Sequence, residues 1–274
     1  MTCLMWRQHR WQALWTMLTV AAVCALILDL GLTAQHWLAG YHAWLRDLAA
    51  AGCPPPTAHS GVFHVRSAQT CLELKDRYPG GLQAAFVSHF NSALVLSQYG
   101  LPLVFAFVGA MVGAPLVARE AEQRTHHTAW TQSVSRRRWY TTKICVLAMV
   151  LTLGGVAGGE LNAWLERRLS AGDVTSSRWD WLVSINLVLA SEAVLAFALA
   201  VAFGAILKRT LPAIGAAMAT FVVLVVGARW LVIGMAPAHP ASQYWPLQLT
   251  LVAIMVAVAA AALASGWRAT QRVV

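Results

Sequence analysis

The chain has 274 residues, of which 58% are hydrophobic and 11% charged, and it carries a formal net charge of +9. So little charged surface cannot cover a soluble globule of this length, which excludes the water-soluble classes and leaves an integral membrane protein. The positive balance has a topological explanation given below and does not call for nucleic acid.

The first residues, Trp6-Arg7-Gln8-His9-Arg10-Trp11, are amphipathic and predict a short helix along the interface. A first span follows at about residues 12 to 33. Its apolar run of about 22 residues is longer than the roughly 7 to 15 of a secretory leader, so it reads as a transmembrane helix.

Residues 34–91 are too polar to cross and are expected to build a small extracellular cap of short helices. The cap holds Cys53, followed by Pro54, Pro55 and Pro56, and then Cys71. In an oxidising compartment a Cys53–Cys71 disulfide would close a modest loop in a subdomain with little core of its own. His36, His42, His59, His64 and His89 also fall in this stretch, but their spacing matches no ligand pattern and no metal is expected.

The second span runs from about 93 to 118, within a segment 92–118. A polar connector, 119–143, precedes the remaining spans at about 144 to 165, 181 to 207, 211 to 234 and 247 to 267, all within 144–274. Each reaches the roughly 20 apolar residues that a helix needs to cross about 30 Å of hydrocarbon. Strands of a closed barrel, the other spanning solution, would alternate over about ten residues, and none does. The expected fold is therefore all-α: six transmembrane helices, an N-terminal interfacial helix and an extracellular cap between the first two spans.

Basic residues near helix ends are retained on the cytoplasmic side. With the N-terminus inside, that side receives Arg7, Arg10, Arg119, Arg124, Arg136, Arg137, Arg138, Lys143, Lys208, Arg209, Arg268 and Arg272. The outer side receives Arg46, Arg66, Lys75, Arg77, Arg167, Arg168 and Arg178, and both termini are cytoplasmic. Tryptophan agrees: Trp11, Trp15 and Trp267 fall near inner ends, and Trp164, Trp181, Trp230 and Trp245 near outer ends. The expected location is the cell membrane.

Ionisable residues inside spans are costly and mark pathways or structural pairs. The candidates are Asp29, Glu160, Glu192 and Arg229. Counting depth from helix ends puts Glu160 and Arg229 level and predicts an ion pair between them, leaving Glu192 without a basic partner. Gly154, Gly155, Gly158, Gly159, Gly109 and Gly113 predict close helix packing. Cys3, Cys24 and Cys145 read as small buried hydrophobes. No HExxH, GxSxG, CxxC pair or GxxxxGK[ST] loop is present, so catalytic residues are not expected and any ATP hydrolysis belongs to another subunit.

The connector is ordered beyond what charge placement requires. Glu120 and Glu122 lead, Thr125 follows, a short segment with Trp130 intervenes, and Ser133-Val134-Ser135-Arg136 leads into a basic cluster ending at Lys143. This order resembles the cytoplasmic connector of type-2 ABC exporter permeases, in which an acidic pair and a Gly-Thr dipeptide precede a short coupling helix and a Ser-Arg turn followed by Lys. Arg124 stands where that family has Gly. The cap and the Ala, Val, Arg and Trp content resemble an actinobacterial subset.

The resemblance implies a permease that dimerises with itself or a similar permease beside two copies of a separate ABC ATPase. ATP and Mg would bind in that ATPase, and this chain would need no cofactor of its own. The coupling residues it implies are Glu120, Glu122, Thr125, Trp130, Ser133, Ser135, Arg136 and Lys143, and the cargo class is a drug, lipid, peptide or polysaccharide. Membrane lipid is the other expected partner. Two further readings fit the composition: a gradient-driven carrier, which calls for midplane ion sites such as Glu192, and a non-transporting sensor with a ligand-binding cap.

Overall fold

The computed structural model describes residues 2–53, 71, 73–74, 90, 95–122, 136–170, 187–234 and 244–271. They form α1 (Thr2–Ala50), α2 (Leu101–Glu122, entered through a π-helical turn at Leu96–Gly100), α3 (Arg136–Ser170), α4 (Leu187–Leu207), α5 (Thr210–Gly234) and α6 (Tyr244–Gln271). All six contain stretches long and apolar enough to cross a bilayer. The chain is a multi-pass, all-helical membrane protein.

α4 is the hub. It packs against α2, α6, α3 and α5, while α1 lies against α3 and α5 also touches α2. Its sequence explains the position: LVLASEAVLAFALAVAFGAIL is apolar on every face, as a helix enclosed on all sides must be, and its many Ala residues keep the surface thin. The neighbouring helices supply glycine where backbones meet. A Cβ on Gly109 would stand 2.5 Å from the Ala193 carbonyl oxygen, and one on Gly113 would stand 2.6 Å from that of Phe197. On α3, a Cβ at Gly155 would meet the Ala190 Cα at 2.5 Å, and one at Gly158 would meet Phe105 at 2.6 Å. These glycines seat α2 and α3 on the rest of the bundle, as their small-residue spacing predicts.

The π turn has a local cause. Pro102 has no N–H to donate into the α-helical ladder, and the preceding Leu101 N–H bonds to Leu96 O, five residues back. Pro115 sits inside α2 and removes a second rung. Proline in α5 and α6 falls in the first turn, at Pro212 and Pro246, where the N–H has no intrahelical partner anyway.

α1 departs from expectation. It was expected to leave the membrane near residue 33 after a separate interfacial helix, but it runs unbroken from Thr2 to Ala50. At 1.5 Å per residue, its 49 residues span about 73 Å, more than twice the hydrocarbon thickness. Polarity marks where a helix leaves lipid, not where it stops, and Ala34 to Ala50 sets Gln35, His36, His42, Arg46 and Asp47 among good helix formers. This extension carries a small apolar cluster of its own. Tyr41, Trp44 and Leu48 are buried with Cys53 and Cys71, and Trp37 packs beside them. The Trp44 indole donates to the Leu74 carbonyl, and Trp37 meets Phe90 edge to face at 6.1 Å. The Cys53 and Cys71 sulfurs are at bonding distance, 1.98 Å, with Cα atoms 5.7 Å apart. Gly52, at φ 69°, turns the chain off the end of α1 so that Cys53 N–H bonds back to Leu48 O.

Candidate functional site

Polar contacts attach α5 to the rest of the bundle near each of its ends. Near the end away from the connector, Arg229 on α5 donates from Nη2 to Glu192 Oε1 on α4 at 2.8 Å. Glu192 is fully buried and the Arg229 side chain is 16% exposed. Glu192 Oε2 has no hydrogen-bond partner among the described residues. A carboxylate in this setting depends on the guanidinium, because burial strips it of water and opposes the charge. The hydroxyl of neighbouring Ser191 donates to Val188 O at 2.8 Å and lies 3.2 Å from Met255 Sδ on α6. Asn162 on α3 and Gln248 on α6 are also buried.

This pairing corrects the expected Glu160–Arg229 bridge. Glu160 is exposed on α3, and α3 shares no extended packing with α5. Depth counted along two helices says nothing about whether they are neighbours. The signal that finds the true pair is the link between α4 and α5, which is only Lys208 and Arg209. So short a link forces an antiparallel hairpin, and Glu192 and Arg229 then lie at the same depth to within about one helical turn. Asp29 is exposed on α1. Cys24 is half-buried, and Cys145 lies on the outer surface of α3 rather than in the core.

The second contact lies at the connector. Glu122, the last residue of α2, accepts a 2.8 Å bond on Oε1 from the backbone N–H of Thr210, the first residue of α5. The Thr210 hydroxyl lies 3.4 Å from Oε2. A carboxylate at a helix N-terminus takes an otherwise unpaired N–H and meets the positive end of the helix dipole. The α4–α5 link that it braces is tight: Lys208 has φ 54°, a left-handed conformation usually left to Gly, and its N–H bonds to Gly204 O at 3.1 Å. Sequence reasoning assigned Glu122 to the connector but missed its partner in the chain.

Of the other connector positions, Thr125, Trp130, Ser133, Val134 and Ser135 lie outside the described residues, as does Arg124. Glu120 belongs to α2 and Arg136 opens α3. Lys143 is buried on α3. Nearby, Tyr140 donates its hydroxyl to Leu263 O at 3.1 Å and packs on Trp267 at 5.3 Å, joining α3 to α6 at this end. His36 and His42 lie on α1, whereas His59, His64 and His89 lie outside the described residues.

Residues 57–232 match the model of a protein family described as ABC-2 membrane transporter related. No curated protein matches the chain, and no solved structure does.

Proposed function

Because the chain belongs to the ABC-2 membrane transporter related family and has six helices fit to cross a bilayer, we propose that this membrane transporter permease works as the transmembrane subunit of an ATP-driven exporter. Energy comes from a separate ABC ATPase in two copies, with ATP and Mg bound there. The permease pairs with a second copy or a similar chain, and the cargo is hydrophobic or amphipathic, such as a drug, lipid or peptide. The chain lies in the cell membrane with both termini cytoplasmic, an orientation that the distribution of Lys and Arg favours.

The observation that carries this reading is the sequence order of the connector between α2 and α3. Glu120, Glu122, Thr125, Trp130, Ser133, Ser135 and Arg136 form the segment that seats in the ATPase and converts its closure into helix rearrangement, and Lys143, buried on α3, anchors its far end. Acidic and basic groups in this segment suit charge-assisted contacts with a soluble partner. The test is affinity purification from the native membrane in mild detergent with Thr125→Ala, Ser133→Ala and Arg136→Ala in turn. The reading expects an ATPase to accompany the wild-type chain and its yield to fall in the variants. Equal yields from all four chains would show that the connector is not the docking segment.

A further inference from the structure

We propose that Glu122 acts as a positioning residue inside the permease, passing displacement of the connector to α5 through the backbone N–H of Thr210. The proposal rests on the ATPase-coupled reading above and adds the route by which motion enters the helices.

Four observations support it. Glu122 ends α2 and adjoins the connector, so any pull on that segment reaches Glu122 first. Its carboxylate, though exposed, meets the first turn of α5, with Oε1 accepting from the Thr210 N–H. The α4–α5 link is two residues long and includes the left-handed Lys208, so it has little slack to absorb a shift of Thr210. Finally, α5 holds to the bundle by one face only: Ala213, Ala217, Phe221 and Val225 are buried, whereas Leu211, Val223 and Trp230 are 82%, 71% and 76% exposed on this chain. A helix gripped near both ends by charged groups and apolar between them moves as a rod. Displacement at Thr210 therefore arrives at Arg229 and works on its bond to Glu192.

The contact is also suited to being made and broken. A charge-assisted bond to a helix N-terminus is strong enough to transmit a shift, yet it is exposed enough for water to replace it. Glu122→Gln keeps an oxygen acceptor, while Glu122→Ala removes it. Thr210→Pro deletes the N–H together with the hydroxyl, at a first helical position where proline is well tolerated, and Thr210→Ala keeps the N–H and removes only the hydroxyl, which separates the two effects.

The experiment uses the permease–ATPase complex with Cys3, Cys24 and Cys145 replaced by Ala and spin labels at Leu153→Cys on α3 and Val223→Cys on α5, both exposed positions. Labelled chain is diluted with unlabelled chain, and the interspin distance is measured without nucleotide and after trapping with Mg-ATP and vanadate. The wild-type, Thr210→Ala and Glu122→Gln complexes should show a vanadate-dependent shift. Thr210→Pro should keep its ATPase and lose the shift, and Glu122→Ala should lose the shift as well. A shift that survives in Thr210→Pro or Glu122→Ala overturns the latch while leaving the ATPase-coupled reading intact. A wild-type chain that binds no ATPase overturns both.

Discussion

Arg229→Met should be among the most damaging single changes in the membrane-embedded part of the chain. Its guanidinium lies 2.8 Å from Glu192 Oε1, and at an effective dielectric of about 20 this separation gives a gross attraction of about 6 kcal/mol. Desolvation cancels much of that gain, so the pair itself contributes little net stability. Removing one partner is different, because Glu192 is fully buried and its second oxygen has no hydrogen-bond partner among the described residues. An uncompensated buried charge costs about 3–5 kcal/mol, or the carboxyl must take up a proton to avoid it. The double replacement Glu192→Met with Arg229→Met leaves no charge behind and should fall within about 1 kcal/mol of wild type. The assay is equilibrium unfolding in mixed micelles, followed by helicity, on the four chains of the double-mutant cycle. A coupling energy below about 0.5 kcal/mol, the usual limit of additivity, would refute the reasoning.

Other predictions follow from single positions. Lys208→Gly should raise the unfolding free energy by about 1 kcal/mol by relieving the left-handed strain at φ 54°, and the same titration reads it. Gly109→Ala should cost about 1–3 kcal/mol because its Cβ would meet a backbone oxygen that cannot rotate away. Gly227→Ala, which meets nothing within 4 Å, should be neutral or stabilise by about 0.5–1 kcal/mol through helix propensity. Cys53→Ser should remove about 3 kcal/mol from the cluster around Trp44 and Leu48, the loop entropy expected for its separation of 18 residues. Limited proteolysis would show the loss as faster cleavage, with linked peptides found by mass spectrometry in the wild-type chain alone.

The spans were legible because length and hydropathy are local properties, and α5 begins and ends within a residue of its expected limits. The end of α1 was not found from hydropathy, although a usable signal was present. Trp37, Tyr41, Trp44 and Leu48 recur at spacings of four, three and four, one face of a continuing helix. The buried pair was missed because contact between α4 and α5 is a tertiary fact, visible in the sequence only through the brevity of the Lys208-Arg209 link. The Glu122–Thr210 contact joins residues 88 apart and had no local signal at all.

The central claim is that this permease draws its energy from an ATPase docked at the connector. Native mass spectrometry of the complex purified from its own membrane tests it most directly, together with vanadate-sensitive ATP hydrolysis by the same sample. The account predicts two permease chains with two ATPase chains, and hydrolysis that falls when the connector is altered. A homogeneous sample containing this chain alone, with no bound ATPase and no hydrolysis, would contradict it.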